Sequence, residues 1–415
     1  MEQEKLEIRL LEIKTEVKNS TTHSLRKKTI VQRAVRVFKD RALGLAAAQG
    51  EISFDDLTRK AKDALVLKLP WEYPLPQNLT YERNLTAGLP PFDEKSVLDL
   101  TESILGRLRP LAPDFILSGS VSVAERTINQ ENSLGVALSL TTRPTEVGFL
   151  FKHKDSASIL DGAWGGLSLK EFDSDEFLAR YQEILEGFRK TVPLSAGKKK
   201  VVFVPPDLLF SKFREALRGD RYHLGASLFS GKIGQPVFSS QFTLNDSNDL
   251  FEQGYVMPFD GEGVIRETPD FPLIENGVLK NVIFDLRNGA KFKAASTGNG
   301  FRSYSSNPDI GFNIMRAKPG TRTLAELAGG DEVIFVFIAS GGDFVDNGDF
   351  STPVQLAFGY RDGKIIGRYP QLAVKSNLFK MFGDDLVGVA RDSFSRYLEN
   401  PYIVTEMAVE VLGNK

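Results

Sequence analysis

The sequence predicts an α+β protein in two parts: an N-terminal α/β-type domain over residues 1–195 and an antiparallel-sheet-rich C-terminal domain over 196–415. Three observations carry that expectation. The chain has 415 residues, more than one ordinary hydrophobic core organises. Its first part mixes alternating strand-like runs with amphipathic stretches, whereas its second part is dominated by short apolar runs separated by tight-turn dipeptides. Between them, residues 193–200 (Pro-Leu-Ser-Ala-Gly-Lys-Lys-Lys) read as a solvated linker.

The elements follow in order. Leu6, Leu10, Ile13 and Val17 recur at helical spacing among Glu and Lys, which predicts an opening amphipathic helix. The alternating runs 34–38 and 43–48 predict strands. Ser53, followed by Asp55 and Asp56, marks a helix start. Residues 69–91 are Pro-rich and read as a long surface loop. A helix is expected at 94–107, strands at 115–125, 134–142 and 147–152, and a helix at 172–190. Past the linker, a buried strand at 201–204 leads into a helix at about 206–218, and strands then take over. Asn276-Gly277 and Asp362-Gly363 each sit between apolar residues, and both dipeptides suit two-residue hairpins with positive φ at both central positions.

Composition narrows the function classes. With 41% hydrophobic and 26% charged residues, the chain resembles an average soluble globular protein. Lys+Arg 52 against Asp+Glu 54 leaves a net charge of -2, without the basic excess of a nucleic-acid binder. The most apolar run, 333–339, is far short of the ~20 residues of a membrane span. No apolar stretch follows a basic start at the N-terminus, so a cytoplasmic location without signal peptide is expected. The absence of cysteine excludes disulfides and thiolate metal ligands and fits a reducing compartment.

Local catalytic motifs are absent. The histidines His23, His153 and His223 are too dispersed for a local ligand pair such as H-E-x-x-H. Ser227 lies in Gly-Ala-Ser-Leu-Phe, one glycine short of a nucleophile elbow. The glycines at 261, 263, 298 and 300 lack the last position of a phosphate-binding G-x-G-x-x-G and read as turns. Asp343, Asp346 and Asp349 surround Asn347-Gly348 without EF-hand spacing, so an Asx-rich turn is expected.

Several second-half segments, in order, resemble the TldD/PmbA family: Ser227-Leu-Phe-Ser-Gly-Lys-Ile-Gly234, Phe259-Asp-Gly-Glu-Gly-Val264, Leu273-Ile-Glu-Asn-Gly-Val-Leu279, Ser296-Thr-Gly-Asn-Gly300, Gly348-Asp-Phe-Ser351, and Asn377-Leu378 with Met381. In that family, TldD proteins carry H-E-x-x-x-H before the Ser-Gly segment and a cysteine near the C-terminus. These hold a zinc with one open position for water, and the Glu takes the water's proton. Such enzymes cleave peptides and work as heterodimers with a TldE (PmbA) subunit lacking those residues. Counted back from Ser227 through Gly219-Asp220, the resemblance puts Phe210 and Glu215 at the histidine positions and Ser211 at the general base. Glu215 is then either a lone carboxylate ligand or, preferably, a surface helix carboxylate. The implied protein is a non-catalytic TldE-like subunit with no metal or cofactor of its own, zinc being expected only in a TldD-type partner. Its implied partners are a TldD-like paralogue or a second copy of itself, and a peptide or unfolded-protein substrate, with no nucleic acid and no membrane. Asp260, Glu262, Thr297 and Asn299 are candidate substrate-groove contacts, turn geometry being the alternative role. Two other functions stay open: a stand-alone homodimer that binds peptides without hydrolysis, and an enzyme using Asp260, Glu262 or serine chemistry.

Overall fold

The computed structural model describes residues 1–412 and shows an α+β architecture with strand well in excess of helix. The first sheet is built from β1 (Glu2–Lys18), β2 (Thr21–Lys39), β3 (Ala42–Gln49), β4 (Leu69–Pro70), β5 (Thr80–Asn84), β6 (Phe115–Asn132), β7 (Val136–Thr142), β8 (Thr145–His153) and β9 (Gly162–Ser168). Its order is β4-β3-β2-β1-β6-β7-β5, with β8 pairing β6 and β9. Every pairing is antiparallel except β5 with β7.

The opening helix is a correction: residues 2–18 form β1, a central strand between β2 and β6. The physical reason lies in which side of the strand is covered. Leu6 is buried on the even-numbered face, whereas Ile13, Thr15 and Val17 are buried on the odd-numbered face. The strand passes from one core to another and changes its buried face midway. Apolar residues at 6, 10, 13 and 17 therefore imitate a helical period, and tertiary burial overrides the Glu- and Lys-rich local preference for helix.

Three longer helices lie where expected. Helix α1 (Phe54–Ala64) is capped by Ser53, whose side chain accepts from the Asp56 backbone N–H. Helices α2 (Glu94–Leu111) and α3 (Ser174–Phe188) start at Asp93 and Asp173 in the same way. Ile104, Leu105 and Leu108 of α2 and Phe177, Tyr181 and Ile184 of α3 join one apolar cluster with Val121 and Phe149 of the first sheet and with Val202, Phe335 and Phe358 of the second. These two helices thus form the middle layer between the sheets.

The second sheet begins with β10 (Gly197–Phe203), which runs parallel to Val333–Ala339 and antiparallel to Ile403–Val411. The linker reading of 193–200 is accordingly corrected: Lys198, Lys199 and Lys200 open this strand. Their charges are met laterally, Lys198 by Asp385 and Glu406 and Lys200 by Asp331, so a basic run that resembles solvated chain is tolerated in a sheet. The helix expected at 206–218 is shorter and broken: a 3₁₀ turn Asp207–Phe210, then α4 (Ser211–Ala216), then Gly219–His223. Both dipeptide hairpins are present, with positive φ at Asn276, Gly277, Asp362 and Gly363.

Candidate functional site

The Phe259-Asp-Gly-Glu-Gly-Val264 and Ser296-Thr-Gly-Asn-Gly300 segments fold against each other at the junction with the first sheet. Asp260 closes its own turn by accepting from the Glu262 and Val264 backbone N–H groups, each at 2.9 Å, while its other oxygen accepts from Gly300 N–H at 2.8 Å. Gly263 supplies the left-handed φ of +82° that the turn requires. Glu262 accepts from the Leu286 N–H at 2.7 Å. A Cβ at residue 300 would lie 2.3 Å from the Glu262 carboxylate, so only glycine permits this approach. Asn299 spans the adjacent gap: its amide donates to Asp246 at 2.9 Å and to the Gly311 carbonyl at 2.7 Å. Its oxygen accepts from Thr297 at 2.7 Å and Arg266 at 2.6 Å.

Across the junction stands a buried charge triad. Arg36 of β2 donates twice to Glu4 of β1, at 3.0 and 2.6 Å, and Arg302, from the far half of the chain, pairs with the same carboxylate. Burial alone would raise the Glu4 pKa, but the Arg302 and Arg36 charges outweigh it and hold the group below the usual carboxylate range. Asp260 and Glu262 behave oppositely. Burial raises both, and the neighbouring Asp260 carboxylate pushes Glu262 up further. Sequence reasoning missed Glu4, Arg36 and Arg302, because nothing local distinguishes them from other charges on alternating strands.

The structure therefore brings the four groove candidates together, with Asp260, Glu262 and Asn299 buried and Thr297 half-buried. Most of their polar atoms are directed at backbone groups, at one another or at Asp246 and Arg266, an arrangement that braces two loops, while one oxygen of Glu262 is buried without a hydrogen-bond partner among the described residues. Thr297 follows this pattern: the hydroxyl that donates to Asn299 accepts from the Phe284 N–H at 2.9 Å.

The positions aligned with a zinc motif point in different directions. Phe210 is fully buried, and its ring packs on Phe213 and Phe382. Phe213 in turn contacts Phe229, Phe238, Phe242 and Phe382, with ring centroids 5.1–6.1 Å apart. Ser211 donates its hydroxyl to Asp343 at 2.8 Å. Glu215 faces outward, one oxygen held by Lys212 at 2.8 Å and the other by Arg221 at 3.1 Å. An aromatic wall, a committed hydroxyl and a carboxylate already bridged by two cations do not fit a zinc ion. Among the described residues no group of three His, Cys, Asp or Glu side chains is arranged to hold a metal.

The remaining candidates are ordinary parts of the fold. His23 lies exposed on β2, His153 packs edge-on to Phe115, and His223 stacks on Phe292. Ser227 donates to the Ala216 carbonyl at 2.5 Å and accepts from the Phe229 N–H at 2.9 Å, as a turn residue does. Asn347 accepts from the Asp349 N–H at 3.0 Å in an Asx-type turn. Among the described residues no helix is long and apolar enough to cross a membrane.

A family profile described as the PmbA/TldA metallopeptidase C-terminal domain matches residues 197–410, just over half of the chain. The chain belongs to the PmbA/TldD family. An uncharacterized protein of Methanocaldococcus jannaschii is 27% identical over 363 residues, covering 84% of this chain and 82% of that protein. A metalloprotease TldD homologue of Buchnera aphidicola is 32% identical over 164 residues, which span 39% of this chain but only 34% of the relative. The fold is that of TldE from Thermococcus kodakarensis, with a TM-score of 0.86 at 20% identity over 99% of this chain and 97% of that one. This member of the PmbA/TldD family carries Phe210, Ser211 and Glu215 on α4 and its preceding turn.

Proposed function

We propose that this chain is the non-catalytic, TldE-like subunit of a TldD-type zinc metallopeptidase complex, acting in proteolysis or peptide maturation. One observation carries the reading: Phe210, where the resemblance calls for a zinc histidine, is part of a closed phenylalanine cluster, so the position contributes to the core and offers no ligand. The outward-facing Glu215, neutralised by Lys212 and Arg221, supports the same reading. In this proposal zinc resides in the partner, and this chain contributes interface and a surface for the substrate peptide. Asp260, Glu262, Thr297 and Asn299 act by setting the loops that border that surface. The units we assign to these roles are residues 1–195 and 196–415.

The test is reconstitution. Mixed with a TldD-type paralogue from the same host, this chain raises peptidase activity above that of the paralogue alone and co-elutes with it in gel filtration. An unchanged rate together with separate elution overturns the proposal and leaves the stand-alone homodimer.

A further inference from the structure

On the outer side of α4, Lys212 enters a cavity of about 350 Å³ whose walls include Glu215, Ala216, Arg221, Leu228 and Asp346. Lys212 is only 7% exposed, and lysine is rarely buried unless its charge is answered. An ammonium carries three donors, and its hydrogen bonds to the described residues use one, to Glu215 at 2.8 Å. Its second carboxylate neighbour, Asp346, stands at 3.8 Å, beyond hydrogen-bond length. Arg221 leans on Glu215 as well, at 3.1 Å. One carboxylate thus answers two cations, while a second reaches toward the ammonium without completing a bond.

Asp346 belongs to a hairpin tip, and its side chain is otherwise wholly exposed. Gly341 and Gly348, both at φ +86°, flank the tip, and the Ser211–Asp343 hydrogen bond fastens it to α4. With the Asp346 side chain turned away, Lys212, Arg221 and Glu215 leave the cavity one unit positive. That charge matches a monoanionic carboxylate better than a doubly charged phosphate. Ala216 and Leu228 supply an apolar wall beside the cations, and the volume lies at the lower end of the range for small-ligand sites.

We propose that this cavity is a carboxylate-binding site with Asp346 at its rim as a competing carboxylate, and that its ligand is the C-terminal carboxylate of a peptide with an apolar last residue. The choice of a peptide rests on the function proposed above; the choice of a carboxylate rests on Lys212, Arg221 and Asp346. The ligand displaces Asp346 and takes the two unused donors of Lys212, while its side chain lies on Leu228.

Calorimetric titration of the full chain with acetyl-Ala-Leu, as the free acid and as the amide, tests this. The acid binds at least about tenfold more tightly than the amide, the worth of a charge-assisted hydrogen bond. Asp346→Asn removes the competing carboxylate and tightens acid binding by about threefold, as expected for an exposed ion pair. Lys212→Met abolishes the preference for the acid. Should Lys212→Met fail to fold, the Asp346→Asn arm still decides, because that side chain is exposed. Equal binding of acid and amide, or no binding of the acid to either wild type or Asp346→Asn, overturns the proposal. Neither result bears on activation of a TldD-type paralogue, and failure of that activation leaves a carboxylate site on a stand-alone chain.

Discussion

The loop junction around Glu4, Asp260 and Asn299 and the phenylalanine cluster around Phe210 are both buried, yet they are built from opposite chemistry. At the junction, five carboxylates (Glu4, Asp246, Asp260, Glu262 and Asp285) and three guanidinium groups (Arg36, Arg266 and Arg302) are buried or nearly so, and many of their polar atoms are bonded to backbone or to one another. At the cluster, the side chains are aromatic and need no partner. The polar residues of the 259–264 and 296–300 segments hold loops together. Of the three positions that the resemblance aligns with a zinc motif, Phe210 packs in this aromatic cluster, whereas Ser211 and Glu215 are hydrogen-bonded to Asp343 and to Lys212 and Arg221. A buried polar residue in a recognised motif is therefore no proof of an active site; its bonding partners decide.

The largest expected effect comes from unbalancing the charge triad. Glu4→Ala strands Arg36 and Arg302 without their common carboxylate and lowers stability by about 3–5 kcal/mol, as for other buried pairs that lose one partner. Urea denaturation measures it, and a loss below about 1 kcal/mol would mean that water enters the junction.

Next in size is the graft of the missing motif. Phe210→His, Ser211→Glu and Glu215→His together cost about 2–4 kcal/mol, because a large ring leaves a filled core. The graft confers no peptidase activity, since a third ligand and the orienting outer contacts are still lacking. Thermal denaturation and a peptide-cleavage assay read the two effects separately, and unaided hydrolysis would contradict the non-catalytic assignment.

A smaller effect belongs to Glu262. Its pKa is raised in the folded chain above the ordinary value of 4.5, by burial first and then by Asp260. The folded state therefore binds more protons than the unfolded state between those two values. The group's stabilising contribution is complete below the ordinary value and is lost as pH rises through the raised one. Asp260 and Asp285 face it with negative charge and Arg36 with positive. Glu262→Gln cannot titrate, so its denaturation midpoint falls less than that of wild type between about pH 5 and about pH 8.5. Parallel pH profiles for the two proteins would show that Glu262 is not the group responsible.

Metal content is the property expected to show no effect at all. Chain purified without chelator carries no stoichiometric zinc, by elemental analysis. About one zinc per chain, lost on Glu215→Ala or His223→Ala, would reverse the assignment of the α4 positions.

Much of this molecule can be read from local signals. Ser53 with Asp55 and Asp56, and the Asn276-Gly277 and Asp362-Gly363 dipeptides, act through neighbouring backbone, so their helix and hairpins follow from sequence. The ordered motifs of the second half likewise identify the PmbA/TldD family, because glycines such as Gly263 and Gly300 answer demands set within a short loop or between two motifs.

Other features depend on partners distant in sequence. Residues 2–18 carry helical spacing, and only burial of one face by one core and the other face by another makes them a strand. Lys198 to Lys200 become sheet because carboxylates at 331, 385 and 406 arrive beside them. The sequence leaves the roles of Asp260 and Glu262 equally open: the same side chains suit a substrate groove or a loop brace. The bracing contacts become visible only in the approach of Gly300 and Leu286 to within hydrogen-bond distance of these carboxylates. Turn and cap chemistry is short-ranged and written locally, whereas burial and charge compensation are long-ranged and exist only once the chain has closed on itself.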